Sequence, residues 1–388
     1  MFPPEFEKSL VAELGEGEAA ALLAALDGES VTSVRYNPFK LSALPAGADR
    51  VPWNRYGAYL SERPVFTLDP AMHAGAYYVQ EASSQFVEWL LREAVGDPVG
   101  MRLLDLCAAP GGKTTLYSTL AGPGGLVVAN DVIRQRAAVL ADNVKRWGVG
   151  NVAVSCNEAR DFAAYRHWFD VVAVDAPCSG DGMFRRLPAA RTEWSPANVE
   201  LCAARQRRIL ADAWDALRPG GVLIYSTCTF NRRENEENVA WLAENFAVEG
   251  VGTPTADLAT AAAAAANLAT AATAAANLAT QNLYAEWGVD VDEVSGIRTY
   301  RFWPHRARGE GFFAAVMRKV DGRVKRETPR ARREPLAPLS RAESRPLAPF
   351  VASPEAMIFA RAGDNIYGYY RPVWRDVEAL AGGLHVIY

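Results

Sequence analysis

Short apolar segments alternate with amphipathic ones between Met101 and about residue 228. The apolar segments predict five buried strands, at 102–106, 126–130, 152–155, 171–175 and 222–226. Apolar residues at helical spacing predict the helices between them, at 113–120, 134–147 and 197–217. Strands that are apolar on both faces and alternate with helices are typical of a doubly wound, mostly parallel sheet, so the predicted fold class is α/β.

A polar or reactive side chain follows every predicted strand. In chain order these are the loop 107–113, then Asp131, then Glu158 and Asp161, then Asp175 with Cys178, and finally Cys228. Open α/β sheets bind their ligands at the carboxyl ends of the strands. We therefore expect these side chains to converge on one edge of the sheet and to form the functional site there.

The remaining sequence predicts units on both sides of this sheet. An amphipathic pattern over 6–26 predicts one helix at the start of an N-terminal α/β unit that spans 1–90. The catalytic domain is predicted over 91–320, followed by a linker over 321–346. Residues 347–388 predict the beginning of a further domain, and the apolar, strand-like end of the chain predicts that this domain is truncated.

An alanine-rich insertion at 254–282 interrupts the predicted catalytic domain. Within it, Asp257-Leu-Ala-Thr, Asn267-Leu-Ala-Thr and Asn277-Leu-Ala-Thr recur every ten residues. Ten residues is close to three helical turns, and alanine has the highest helix propensity. We predict an exposed helical insertion without a chemical role.

The composition narrows the class of protein. Half of the 388 residues are hydrophobic, which is enough for the cores of two or three domains. The net charge is −4 and the pI about 5.8, so a basic surface must be local. The stretch 318–345 contains ten Lys and Arg against four acids, and it is either a solvated spacer or a phosphate contact.

The cysteine pattern and the lengths of the apolar segments predict the cellular compartment of the protein. The five cysteines are odd in number and show no CxxC spacing, which favours reduced thiols in a cytoplasmic protein without a zinc site. The start of the chain lacks the pattern of a signal peptide. Because no uninterrupted apolar segment has the length of about 18 residues that a membrane span needs, none is predicted.

The glycine-rich loop after the first strand resembles two nucleotide-binding motifs without matching either. Cys107 stands where a phosphate-binding loop of the GxxxxGK[ST] type has its first glycine, and the loop lacks GxGxxG. The segment 108–112 instead brings backbone close to a small ligand, and Asp131 is placed to bind ribose hydroxyls. An adenosine-like ligand without phosphates indicates S-adenosylmethionine.

With a methyl donor, the two thiols at the strand ends acquire a chemical role. Carbon 5 of cytosine is a weak nucleophile until a thiolate adds to carbon 6 of the ring, which is covalent catalysis. Asp175 is suited to hydrogen-bond or protonate ring N3, and a second group near the first thiol can assist elimination. Two cysteines and one aspartate are sufficient for these steps.

Several motifs resemble the Nol/Nop/Sun family of RNA cytosine-C5 methyltransferases, and its bacterial RsmF-type subgroup in particular. Three of them lie at strand ends, at 105–115, 175–185 and 225–230. The others are Glu234-Asn235-Glu236, Arg35 with Asn37 and Lys40, the cluster 73–84, Pro304-His305 and the segment 309–313. The resemblance implies a class I methyltransferase fold with RNA-binding units at both ends, the C-terminal one PUA-like. It also implies small-subunit (16S) rRNA as substrate.

The resemblance further implies roles for individual residues. Cys228 would attack cytosine, Cys178 would assist product release, and Asp175 would serve both catalysis and the cofactor. Residues implied to contact the cofactor are Cys107, Ala108, Ala109, Pro110, Gly111, Gly112, Lys113, Asp131, Glu158 and Asp175. The adenine-contacting acid departs from the family pattern, so Glu158 is the first choice and Asp161 the alternative. The alanine-rich repeat is not part of the pattern.

Two other classes of function stay open from the sequence. A DNA cytosine methyltransferase would use the cysteine of Pro177-Cys178 as its nucleophile and would not need Cys228. An RNA-binding assembly factor without catalysis would keep the basic segment but would not need both thiols. The favoured prediction is a monomeric rRNA methyltransferase, with rRNA as partner and with neither a metal nor a membrane.

Overall fold

The computed structural model describes residues 1–41, 43–251, 282–320, 322 and 336–387. The decapeptide repeat at 257–280 and most of the predicted linker lie outside the described residues, so both interpretations stay predictions.

The first eighty residues form helices and a small antiparallel sheet in the order β2-β3-β1-β4. The helices are α1 (Pro4–Leu14), α2 (Glu16–Asp27) and the short α3 (Pro70–His73), and the strands are β1 (Thr32–Tyr36), β2 (Asp49–Arg50), β3 (Gly57–Leu60) and β4 (Tyr77–Val79). The prediction of one helix over 6–26 is wrong. Gly15 has φ 78° and ψ 164°, a conformation that glycine alone adopts readily, and it divides the segment into two helices.

A second, larger sheet forms the centre of the protein. Its parallel strands are β5 (Arg102–Asp105), β6 (Leu126–Asn130), β7 (Val152–Ser155), β8 (Phe169–Asp175) and β9 (Leu217–Thr227). The helices of this region are α4 (Val87–Val95), α5 (Gly112–Ala121), α6 (Arg134–Trp147), α7 (Ala190–Glu193), α8 (Pro196–Ala213) and α9 (Glu236–Asn245). The parallel order β9-β8-β5-β6-β7 confirms the predicted doubly wound sheet.

Antiparallel strands extend the sheet beyond β9. They are β10 (Val248–Gly250), β11 (Val289–Val294), β12 (Ile297–Phe302) and β13 (Phe312–Lys319), and β13 pairs with β9. The predicted helix 197–217 is too long at its end: α8 stops at Ala213, and Leu217 already pairs with Phe169 as the start of β9. Helix and strand propensities do not locate this boundary because apolar residues continue through it.

Successive residues of the central strands pack into two different apolar clusters, one on each face of the sheet. Leu103, Val127 and Val171 belong to one cluster. Their neighbours Leu104, Val128 and Val172 belong to the other. Each such side chain contributes about 1.5–3 kcal/mol when fully buried, so this arrangement holds the strand ends in fixed positions.

The described C-terminal residues pack against the central sheet. They form β14 (Ala337–Pro338), α10 (Arg341–Ser344), β15 (Met357–Ala362), β16 (Asn365–Tyr370) and α11 (Trp374–Gly383). The guanidinium of Arg102 makes two 2.8 Å hydrogen bonds to Asp376, and Val386 forms a bridge with Ser155 at the edge of the sheet. The domain boundaries at 90, 320 and 346 stay predictions. In the described part of the chain no helix is long and apolar enough to cross a membrane.

Candidate active site

The two thiols predicted to act together lie side by side. Cys178 follows β8 and Cys228 follows β9, and these neighbouring parallel strands align Asp175 with Ser226. The two sulfur atoms are 3.2 Å apart. The hydrogen bond with Cys228, together with burial, raises the pKa of Cys178 well above its usual value. At this distance either thiol can donate a hydrogen bond to the other.

Asp175 lies at the end of β8 and is held by two partners. It accepts a hydrogen bond from Ser226 Oγ at 2.8 Å and forms an ion pair with Lys113 Nζ at 2.8 Å. Burial lowers the pKa of Lys113, but the adjacent carboxylate of Asp175 outweighs this effect and the pKa is raised. Lys113 was predicted to contact the cofactor, whereas its ammonium group lies at Asp175 and over the ring of Phe312.

A cavity of about 490 Å³ connects the thiols with the acids that follow the next strands. Asp175, Cys178 and Cys228 line it together with Asp131 and Glu158. Cofactor pockets commonly measure about 300–1,000 Å³, so the volume suits a ligand of the size of S-adenosylmethionine.

Asp131 presents a fixed carboxylate to this cavity. Its side chain is 3% exposed, and it pairs with Arg136 at 3.2 Å. It also accepts a hydrogen bond from the backbone N–H of Ile133 at 3.0 Å. Arg136 donates in addition to the carbonyl of Ala109 at 3.1 Å, which connects this acid to the loop after β5. Such a buried acceptor is suited to ribose hydroxyls.

The structure separates the two acids that the sequence left as alternatives. Glu158 lines the cavity. Asp161 accepts a hydrogen bond from the backbone N–H of Glu158 at 3.0 Å and caps the 3-10 helix Ala159–Ala164. The neighbouring Asn157 also lines the cavity, and Asn130 holds its backbone through hydrogen bonds of 2.9 and 3.0 Å.

The predicted cofactor residues divide into two groups. Those that line the cavity are Cys107, Ala109, Asp131, Glu158 and Asp175. Those that do not are Ala108, Pro110, Gly111, Gly112 and Lys113. Gly111 has φ 111° and begins the turn into α5, so glycine is needed there for backbone geometry.

Several lining residues were not predicted from the sequence. Helix α8 contributes Arg205, Arg208, Ile209 and Asp212, and the loop after β6 contributes Val132 and Ile133. Val132 and Ile133 are large apolar side chains that remain 53% and 48% exposed. Two apolar residues directly after a strand-end acid were the available signal. No signal in the sequence pointed to the arginines of α8, because a run of polar residues on a helix usually faces solvent.

A larger cavity of about 910 Å³ opens elsewhere, between α1, α9 and β11 to β12. Its described lining includes ion-paired side chains such as Arg301 with Glu236, and none of the predicted site residues. We assign the chemistry to the smaller cavity because the thiols and strand-end acids meet there.

A doubly wound sheet with this cavity at its carboxyl edge defines the Rossmann-like class I methyltransferase fold. The model of the family 16S rRNA methyltransferase RsmB/F matches residues 97–318, and that of the N-terminal domain of 16S rRNA methyltransferase RsmF matches residues 2–82. The chain belongs to the RsmB/F family. The resemblance stated from the motifs is thereby confirmed, and S-adenosylmethionine is the methyl donor of this family.

Individual relatives agree with this assignment. Ribosomal RNA small subunit methyltransferase F of Salmonella heidelberg (strain SL476) is 39% identical over 240 residues, which are 58% of this chain and 50% of the relative. The corresponding protein of Salmonella agona (strain SL483) is also 39% identical, over 229 residues, 55% of this chain and 47% of the relative. The chain thus spans about half the length of the curated relatives it matches.

Solved structures show the same fold. A methyltransferase homolog from Pyrococcus horikoshii has 25% identity and a TM-score of 0.59, covering 82% of this chain and 100% of that one. NSun6 from Pyrococcus horikoshii, determined with SFG, has 21% identity and a TM-score of 0.61, covering 83% and 99%. The latter likeness shows the fold alone.

Proposed function

We propose that this protein transfers a methyl group from S-adenosylmethionine to carbon 5 of a cytosine in small-subunit (16S) rRNA. The observation that carries the proposal is the pair of thiols, 3.2 Å apart beside Asp175 at one end of the cavity. Family membership supports the methyl donor and the class of RNA. A structural pair of cysteines would need neither the adjacent carboxylate nor the open cavity.

The cavity fits S-adenosylmethionine, which when bound supplies an electrophilic methyl group on a sulfonium. Asp131 would accept hydrogen bonds from the ribose hydroxyls, because its fixed carboxylate faces the cavity. Glu158 would hold the adenine end, with the apolar side chains of Val132 and Ile133 beside it. The backbone at Cys107 and Ala109 would close the other side.

The chain's own residues then account for the reaction at cytosine. Cys228 forms a bond to carbon 6, which makes carbon 5 nucleophilic toward the methyl group. Asp175 hydrogen-bonds or protonates ring N3, and Lys113 at 2.8 Å is a proton donor next to it. After transfer, the C–H bond at carbon 5 and the bond between Cys228 and carbon 6 both break, and the double bond between carbons 5 and 6 forms again. Cys178 assists both events, because it can take up the proton from carbon 5 and pass its own proton to the departing sulfur of Cys228.

The two thiols should therefore fail differently when replaced. In Cys178→Ala, attack and methyl transfer continue while release is impaired, so the enzyme should accumulate as a covalent adduct on its RNA. In Cys228→Ala no adduct can form. Each variant is incubated with S-adenosylmethionine and loop-containing 16S rRNA, in which the target base can leave the stack, and analysed on a denaturing gel.

Cys156→Ala is the matched control, because Cys156 does not line the cavity and should behave as the unchanged protein. A stable adduct from Cys228→Ala and none from Cys178→Ala would mean that Cys178 is the nucleophile, as in a DNA cytosine methyltransferase. An absence of adduct from both variants, with no methylation by the unchanged protein, would favour an assembly factor without catalysis.

A further inference from the structure

Glu234 is a fully buried acid beside the thiols, and the reaction as described above does not use it. Its residue is 0% exposed. In the part of the chain that the structure describes, it has no ion pair with Lys, Arg or His. Its carboxylate instead accepts three hydrogen bonds, from the backbone N–H of Ser179 at 3.0 Å, from Ser179 Oγ, and from Gln206 Nε2 at 2.7 Å. Burial raises the pKa of Glu234 to about 7.

These contacts hold the loop on both sides of Cys178. Ser179, which Glu234 binds through its backbone and its hydroxyl, directly follows this cysteine. The amide of Gln206 bridges Glu234 and the carbonyl of Pro177, which directly precedes the cysteine, at 3.0 Å. The position of the Cys178 backbone is therefore set by the pair Glu234 and Gln206.

The same residue is also connected to the strand that carries the other thiol. The carbonyl of Glu234 accepts a hydrogen bond from Tyr225 Oη at 2.5 Å. Tyr225 lies on β9, three residues before Cys228. Ser179 Oγ and Thr229 Oγ1 are 3.1 Å apart, which adds a contact between the two loops. Glu234 therefore contacts both the loop that carries Cys178 and the strand that leads to Cys228.

A carboxylate accepts hydrogen bonds from all of these donors without any rearrangement. Both of its oxygens accept, one from Ser179 Oγ and the other from Ser179 N and Gln206 Nε2. Glutamine has nearly the same shape, but its amide nitrogen would face either the two N–H donors or Ser179 Oγ, whose hydroxyl would then have to rotate and accept. Either orientation of the amide changes the hydrogen bonds that hold this loop, so Glu234→Gln should shift the loop without leaving a cavity.

We propose that Glu234 is a positioning residue that fixes the thiol of Cys178 against Cys228 and thereby governs release of the methylated RNA. This inference rests on the proposed function. It does not involve the first attack, because Cys228 is reached through β9, whose pairing with β8 and β13 is independent of the carboxylate.

The test separates methyl transfer from release in Glu234→Gln. Single-turnover methyl transfer to 16S rRNA should stay within about twofold, while steady-state turnover should fall about tenfold, less than the roughly 100-fold that a 1 Å misplacement of a catalytic group can cost. The covalent adduct on a denaturing gel should rise to a level between those of the unchanged protein and Cys178→Ala. Ser179→Ala removes one of the three hydrogen bonds, so it should lower steady-state turnover and raise the adduct level by smaller amounts. This variant also tests the inference if Glu234→Gln does not fold.

Glu88→Gln is the matched control. Glu88 is also a buried acid, but it pairs with Arg92 within α4, and no residue of this helix lines the cavity, so its loss should lower Tm without producing adduct. Equal losses of single-turnover and steady-state rates in Glu234→Gln, or normal turnover, would overturn the inference. If Cys178→Ala traps an adduct and neither Glu234→Gln nor Ser179→Ala does, only this inference fails. If Cys178→Ala traps none, the proposed function fails first.

Discussion

Asp131 and Asp175 are both aspartates at strand ends, yet the protein surrounds them differently. Asp131 is 3% exposed and paired with Arg136, whereas Asp175 is 36% exposed and paired with Lys113. The first is therefore a rigid acceptor within the cavity wall. The second stands at the open end with a proton donor next to it, where a base can approach.

Replacement of Asp131 should weaken binding of the methyl donor. Hydrogen bonds to a charged group contribute about 1.5–3 kcal/mol, so Asp131→Ala should raise the Kd for S-adenosylmethionine about 10- to 100-fold. Titration calorimetry measures this directly, with Asp142→Ala, an exposed acid of α6, as the control. Glu158→Ala should have a smaller effect. An unchanged Kd in Asp131→Ala would exclude the ribose contact.

Lys113 gives a prediction that distinguishes its two possible roles. Because its ammonium group binds Asp175, Lys113→Met should leave the Kd for S-adenosylmethionine within about twofold and lower the methyl-transfer rate about 100-fold, the range of a lost proton donor. Rates come from single-turnover transfer of labelled methyl groups, and Lys145→Met on the surface of α6 is the control. A large rise in Kd would instead support the cofactor contact predicted from the sequence.

At the scale of elements, the junction of α1 and α2 depends on one backbone conformation. Gly15 ends the first helix, with its N–H bonded to the carbonyl of Val11 at 2.9 Å, and it begins the second. A Cβ at this position would meet nothing within 4 Å. Any cost of a side chain there would therefore come from the backbone alone.

Gly15→Ala should destabilise the protein by about 1–3 kcal/mol, because alanine is strained at φ 78° and ψ 164°. Gly17→Ala is the matched control: Gly17 lies inside α2, also in open space, and alanine there should stabilise by about 0.5–1 kcal/mol. Chemical denaturation of both variants measures the two free energies of unfolding. Equal values for the two would show that the junction is not restricted by its backbone.

At the scale of the whole molecule, the C-terminal residues support the edge of the cavity. His385 and Asn157 exchange hydrogen bonds, of 3.0 Å from His385 N to Asn157 Oδ1 and of 3.2 Å from Asn157 Nδ2 to the carbonyl of His385. The backbone N–H of Ile387 donates to the carbonyl of Val154 at 2.8 Å. The strand-end loop that lines the cavity is thus held from outside by residues far away in the chain.

The ion pair between Arg102 and Asp376 should be the main polar contribution to this docking. Both side chains are about three-quarters buried (23% and 22% exposed) and the geometry is bidentate. Asp376→Ala should weaken the docking by about 1–3 kcal/mol. The weaker docking should be measurable as faster amide hydrogen exchange in α11 and at residues 384–387.

Asp215→Ala serves as the control for that experiment, since the pair of Arg166 and Asp215 is 47% and 44% exposed and should contribute about 0–1 kcal/mol. Exchange that is no faster in Asp376→Ala than in Asp215→Ala would mean that apolar contacts, such as those of Trp374 and Val377, hold the C-terminal residues alone.

The sequence by itself determined the parallel core of the sheet and the side of it on which the candidate site lies. Strands β6 and β7 and helix α6 have the predicted bounds, because apolar periodicity is a local property of the chain. The convergence of Cys178 and Cys228 followed as well, since parallel strands bring their carboxyl ends to one edge.

Only the tertiary structure decided which side chains meet. Lys113 reaches Asp175 because β5 and β8 are neighbours, and Glu234 reaches Ser179 because the neighbouring strands β8 and β9 lead into the two loops that carry these residues. The contact of His385 with Asn157 joins residues that lie 228 positions apart. Such pairs depend on the strand order and on the burial of both partners. Neither is contained in local periodicity, because a polar residue has the same pattern whether it faces water or another side chain.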